Sequence, residues 1–332
     1  MGPISGRFAC TALLLCLVTA CGSDRPFAGS TSEVNYADRV SAVALEDAVG
    51  QGLVEVITRD HNCTRTEMGL VLRPTGGSQI WIRIDVGLQV HDPHKEDQVY
   101  ITTQTKYVRL ARRTNLLVTI PHVQRTMFRS LGIPSGARLS RCNDERLMKF
   151  LHAISKRSVV PDWKDVQIAT WALTDNIPFD RVRTPPADGK IRLSVHPTIN
   201  AREMLRIFAL LEQVGYEKKD FALWIGALDE VDRLVDAYER LVDQEDRGAI
   251  NPFRMICDLY PLESAADVLV SSFDRHQSDK GIPYRRYAFE VLRKIGGPSE
   301  IKIIKRVSML ESDRGLFEMM VEAAEASAAP VK

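Results

Sequence analysis

The chain has 332 residues, with 44 basic and 43 acidic side chains giving a formal net charge of +1. That balance creates no global field for a polyanion, and no RNA- or DNA-binding motif is present, so nucleic acid is excluded as an expected partner. Hydrophobic residues make up 45%, and the roughly 310 residues beyond the first twenty are enough for two modest domains, each with its own core.

The N terminus has a single arginine before the apolar run Phe8–Val18, followed by the small residues Thr19 and Ala20. A short basic start, an apolar stretch too short to span a bilayer and a small-residue cleavage point together make residues 1–20 a cleavable export signal. Val18-Thr19-Ala20-Cys21 resembles the lipobox of bacterial lipoproteins. The resemblance is confined to this segment and implies cleavage before Cys21 and lipid attachment to its thiol, so the membrane becomes a partner through that lipid. Gly22 rather than Asp follows the cysteine, which implies sorting to the outer membrane where the organism has two. An ordinary secretory signal is the alternative. Each buried acyl methylene contributes about 0.8 kcal/mol, so several chains make a lasting anchor. Residues 21–35, rich in Gly, Ser, Pro and charge, read as a flexible tether.

Export leaves Cys63, Cys142 and Cys257 where disulfides can form. Cys63 and Cys142 sit in polar, loop-like runs, whereas Cys257 belongs to the apolar pattern Phe253, Met255, Ile256, Leu259. A Cys63–Cys142 bridge with Cys257 left in a core is the expected pairing, although spacing does not fix connectivity.

Residues 36–125 read as a β-rich domain with a short leading helix. Val40, Val43, Ala44 and Ala48 have helical spacing over Tyr36–Val49, ending at Gly50. Ile80 to Val90 alternates apolar and polar residues, the signature of a half-buried strand. Leu53–Thr58, Met68–Arg73, Val99–Leu110 and Asn115–His122 supply further strands, with a bulge or bend expected near Thr105, where the alternation of Val99–Leu110 changes phase. About five strands at hairpin spacing predict a small antiparallel β-sandwich or open barrel.

From Asp144 the apolar period becomes helical: Leu147, Phe150, Leu151 and Ile154 form one stripe, and Val166, Ala169, Thr170 and Leu173 another. Residues 126–196 are expected as a helical and irregular connection, 197–326 as an all-α domain, and 327–332 as a disordered tail. Asn200 offers an N-cap for Ala201–Val214, which Gly215 ends. Pro252-Phe253-Arg254 and Pro283-Tyr284-Arg285 stand 31 residues apart, each opening a helix followed by a second. Phe221–Ala227 and Val231–Leu241 are expected as an earlier pair. A period of about 31–35 with two helices per unit suggests stacked helical repeats. The stretch Arg286–Pro298 followed by Ile301, Ile304 and Val307 resembles a HEAT repeat; an irregular helical bundle is the alternative. The fold class expected is α+β in two domains.

His91-Asp92-Pro93-His94-Lys95-Glu96-Asp97 has the composition of a metal site, with His91 and His94 as candidate ligands, but Pro93 marks a tight turn and Lys95 would repel a cation. A solvated turn is the favoured reading. His-Glu-x-x-His, Gly-x-Ser-x-Gly, nucleotide-cradling glycine loops and Cys-x-x-Cys do not occur. Gln167-Ile168-Ala169-Thr170-Trp171 resembles the Gln-x-Ala-x-Trp segment of thioester-domain surface adhesins, in which a Cys and a Gln condense to a thioester. The resemblance implies Cys142 and Gln167 as the reacting pair, but Val166 replaces the usual Thr and Arg141 precedes Cys142 where an aromatic belongs. The apolar stripe of this helix explains the segment without chemistry, so no thioester is expected. The chain reads as a lipid-anchored, non-catalytic binding or scaffold protein of the cell envelope, without cofactor, whose partner is another envelope protein. The alternative is a surface adhesin or hydrolase-like enzyme using residues 142–176.

Overall fold

The chain folds as α+β, a β-rich part first and a helical part after it. The computed structural model describes residues 36–63, 66–92, 98–125, 138–183 and 198–328, with backbone alone at 36, 58–63, 275 and 327–328. The signal, the tether, Cys21, His94 and the last four residues of the expected tail lie outside the described residues.

The helix expected over 36–49 is two short ones, Tyr36–Ser41 (α1) and Leu45–Gly50 (α2). Between them Val43–Ala44 (β1) pairs in parallel with Ile82 and Arg83, and that ladder interrupts the helix. Eight strands follow: Val54–Cys63 (β2), Glu67–Pro74 (β3), Ile80–Ile84 (β4), Leu88–His91 (β5), Val99–Thr102 (β6), Lys106–Leu110 (β7), Leu116–Gln124 (β8) and Arg138–Arg141 (β9). They form a three-stranded sheet, β1-β4-β7, and a six-stranded sheet, β2-β3-β8-β6-β5-β9. β9 lies beyond the β region expected from sequence and still joins it as an edge strand.

The strand expected from Ile80 to Val90 and the phase change near Thr105 have one origin. β4–β7 and β5–β6 are halves of a single antiparallel hairpin in unbroken register, with Ile80 opposite Leu110, Ile84 opposite Lys106 and Gln89 opposite Ile101. At 85–87 and 103–105 this hairpin bends from one sheet into the other. Gly87 takes φ +84, a conformation in which a Cβ would be strained. Its N–H donates to the Thr102 carbonyl (2.9 Å), while the Thr102 hydroxyl donates to the Asp85 carbonyl (2.6 Å) and accepts from the Leu88 N–H (2.9 Å). Backbone groups freed by the bend are thereby satisfied.

Alternation then assigns side chains to two cores. Leu88, Val90 and Tyr100 join Leu70, Leu72, Ile82, Ile84, Leu110, Val118 and Ile120 in a core shared by the two sheets. The opposite face, with Val99, Ile101 and Val123, enters the helical core beside Leu147, Phe150 and Val166. β6 is covered on both sides, which explains its burial at all four positions.

The helices are Glu145–Ser155 (α3), Trp163–Thr174 (α4), Phe179–Val182 (α5), Ala201–Glu212 (α6), Ala222–Asp243 (α7), Ile250–Asp258 (α8), Glu263–Arg275 (α9), Ile282–Ile295 (α10), Pro298–Ser308 (α11) and Arg314–Ala328 (α12). Asp144 caps α3 through the Leu147 N–H (3.0 Å), and Asn200 with Glu203 closes a capping box on α6, both bonds at 2.9 Å. The pair expected at 221–241 is instead the continuous α7, because Leu228-Asp229-Glu230 contains no breaker and Leu223, Ala227, Val231, Leu234 and Tyr238 make one buried stripe. Helices touch near neighbours along the chain: α7 meets α8 and α9, α8 meets α9 and α10, and α10 meets α11 and α12. Arg285 of α10 pairs at 2.8 Å with Glu311 ahead of α12, both side chains sealed from solvent.

Candidate functional site

The residues singled out by sequence converge on the seam between β8 and α4. β3 begins beside Pro121, where the His122 N–H still reaches the Thr66 carbonyl at 3.1 Å. Beyond that point α4 takes the place of the missing strand. Trp163 Nε1 donates to the His122 carbonyl (2.9 Å), and Gln167 Nε2 donates to the Gln124 carbonyl (2.8 Å). Gln167 Oε1 accepts from the Gln124 N–H (2.8 Å), and the Thr174 hydroxyl donates to the Arg125 carbonyl (2.7 Å). Positions 163, 167 and 174 share one face of the helix. The amide of Gln167 thus mimics a strand residue, in a buried setting where each unpaired backbone group would cost about 1–3 kcal/mol. Elsewhere on α4, Asp165 is fixed by Arg206 through bonds of 2.9 and 3.2 Å, and Lys164 by Glu203 at 2.7 Å.

Both polar atoms of the Gln167 amide are therefore engaged by Gln124. Cys142 follows β9, with its N–H on the Gly87 carbonyl at 3.0 Å and its thiol free and buried. The expected Cys63–Cys142 bridge is not formed. Topology gives the reason: Cys63 ends β2, opposite Met68, and β2 and β9 are the two edges of the six-stranded sheet. The Cys63 side chain itself lies outside the described residues. Cys257 is buried in α8, where desolvation pushes its thiol pKa up.

His91 Nε2 lies 2.6 Å from the Ser140 hydroxyl, which donates onward to Gln89 Oε1 (3.1 Å). Burial lowers the His91 pKa, and Arg125 and Arg138 lower it further, surroundings that oppose a metal cation. Among the described residues no group of three or more His, Cys, Asp or Glu side chains gathers for a metal. His122 is wholly buried, edge-on to Tyr100 at 5.1 Å, and neither ring nitrogen has a hydrogen-bond partner among the described residues. Burial pushes its pKa down to about 4.

A second feature, which sequence reasoning missed, is an open cleft of about 540 Å³ along the connection from α6 to α7, walled by Tyr216 and Trp224. The Tyr216 hydroxyl donates to the Arg146 carbonyl at 2.9 Å. The Arg146 guanidinium and Lys149 ammonium of α3 stand 5.3 and 5.4 Å from the centre of the Tyr216 ring. Lys218 lies 5.0 Å from the Trp224 ring centre and pairs with Glu212 at 3.2 Å, while Lys219 pairs with Glu217 at 2.5 Å. Burial raises the Tyr216 pKa, and Arg146 opposes the shift. The signal was the interleaving of Tyr216, Lys218, Lys219 and Trp224 directly after the helix-ending Gly215. Comparison of the chain with protein-family models, with curated proteins and with solved structures finds no match.

Proposed function

We propose that this chain is a lipid-anchored extracytoplasmic protein of the cell envelope that binds another envelope component rather than catalysing a reaction. Its attachment rests on the lipobox-like Val18-Thr19-Ala20-Cys21, with the outer membrane as its address where the organism has two. The binding role is carried by one observation, the open aromatic-walled cleft along the connection from α6 to α7. HEAT-like stacking of α8 to α12 is part of the reading and is supported by helix contacts that run between near neighbours in the chain. The rival, a covalent adhesin or hydrolase built on residues 142–176, is disfavoured because the Gln167 amide is already used in the seam.

The anchor is tested by labelling cells with a radioactive or clickable palmitate analogue and comparing the full chain with Cys21→Ser. Label in the wild type alone, with the variant released or left as precursor, supports the reading. Equal membrane-bound, mature protein in both would sink it.

A further inference from the structure

We propose that the turn from α3 to α4 is a second membrane contact, which lays Val159 and Val160 into the interface of an anionic phospholipid bilayer with Lys156 and Arg157 against its phosphates. This rests on the lipid anchor for bringing a bilayer within reach, and on the residues of the turn for the docking.

Val159 and Val160 are 77% and 63% exposed, adjacent in the turn between two helices. Single exposed apolar side chains are ordinary, but here the apolar surface continues inward. Val160 and Pro161 line a pocket of about 180 Å³ together with Trp163, Val123, Ile154 and Val166. Trp163 is half-buried, and its Nε1 donates to the His122 carbonyl at 2.9 Å, which fixes the ring at the base of the turn. An indole with one polar edge and an apolar body suits the boundary between water and hydrocarbon. Charge points the same way. Lys156 closes the C terminus of α3, Arg157 follows it, and neither forms an ion pair among the described residues. Of the other charges nearby, Lys164 is held by Glu203 at 2.7 Å, Asp162 accepts from the Lys164 N–H at 2.8 Å, and Glu67 lies on the β3 side of the pocket. Two unpaired cations beside an apolar tip complement a surface that carries phosphates outside and hydrocarbon within. A stable protein partner covers about 800 Å² on each side, far more than two valines and a proline offer. A bilayer needs only a shallow insertion, because an anchored chain meets it at high effective concentration. The chain from Cys21 to Tyr36 can extend to about 50 Å, so attachment leaves each face free to turn to the bilayer and surface chemistry selects one.

Reconstitution of the full chain, purified in detergent, into vesicles of phosphatidylethanolamine with phosphatidylglycerol tests this. An environment-sensitive fluorophore is attached at Ser158→Cys in the turn, or at Ser78→Cys between β3 and β4, an exposed position at the opposite end of β3 from the pocket. The unsubstituted chain treated alike gives the background. The expected result is blue-shifted emission and quenching by doxyl-labelled lipid at 158, with neither at 78. Val159→Asp with Val160→Asp should return the 158 probe to the emission of the 78 probe. Lys156→Gln with Arg157→Gln, or vesicles of phosphatidylcholine alone, should lower the quenching by at least about half. These side chains are exposed or half-exposed, and an unchanged melting temperature confirms that a variant is folded. A 158 probe as wet as the 78 probe, on vesicles that carry the chain, overturns the docking and leaves the anchor standing. Quenching at 158 in a chain whose Cys21 takes no palmitate label does the reverse. A blue shift without quenching means that a protein surface covers the turn, and overturns lipid as its occupant. Undiminished quenching in the valine variant overturns the role of the tip, and undiminished quenching in phosphatidylcholine overturns that of the cations.

Discussion

His122 combines a fully buried ring with two nitrogens that have no partner among the described residues, and its carbonyl is the acceptor for Trp163. A histidine that must stay neutral in the fold, with its pKa pushed to about 4, binds its proton more weakly folded than unfolded, where the value is about 6.5. The stability tied to the neutral ring is therefore complete above about pH 6.5 and is lost as pH falls from there toward 4. The loss is about 2–3 kcal/mol between pH 7.5 and 4.5. Urea unfolding at those two pH values should show His122→Gln losing less on acidification than the wild type by about that amount. Equal losses would show that the ring does not titrate as described. None of this was legible beforehand, because a histidine in Ile120-Pro121-His122-Val123 carries no sign of what covers it. Gln167 was conspicuous in the sequence, but its partner lies at position 124 on another element, and only the fold joins them.

At the scale of elements, periodicity carried far. The stripe on α3, the Asn200 cap, the turn after α10 with Gly296 at φ +66, and the strands of the hairpin are visible in the residues, whereas α4 carries no separate stripe, being buried at every position from Asp165 to Leu173. β9 was not visible, since Arg-Leu-Ser-Arg has no apolar run and becomes a strand only because β5 offers it an edge. The bend expected near Thr105 is matched by a second at 85–87, and the two together pass the hairpin between sheets. Gly87 is central to that bend: besides its positive φ, a Cβ there would lie 2.3 Å from the Met148 sulfur. Gly87→Ala should destabilise the protein by about 1–3 kcal/mol. A denaturation midpoint unchanged from wild type would show that the corner relaxes freely.

Over the whole molecule, the β-rich part and the helices meet through a shared core and through the seam of α4 on β8, so a change at the seam reaches both. Gln167→Leu removes two hydrogen bonds and strands the buried N–H and carbonyl of Gln124. The expected loss is about 2–5 kcal/mol. Far-ultraviolet circular dichroism and tryptophan fluorescence, followed together in urea, should report the same lowered midpoint if the seam couples both parts. A shift under about 0.5 kcal/mol would mean that water replaces the amide at little cost. The cleft at 216–224 belongs to this scale too, because Arg146 and Lys149 reach Tyr216 only through the packing of α3 near the α6–α7 connection.

The hairpin that serves both sheets also makes chain length a matter of parity. Along β5 and β6, Leu88, Val90 and Tyr100 enter the core between the sheets, and Val99 and Ile101 enter the helical one. One extra residue between Ile84 and Leu88 would turn Leu88 and Val90 toward the helices and bring Gln89 and His91 into the core they left. Two extra residues would restore every side chain to its own side. Insertions and deletions at this corner are thus tolerated in even steps and rejected in odd ones, whatever residues they contain.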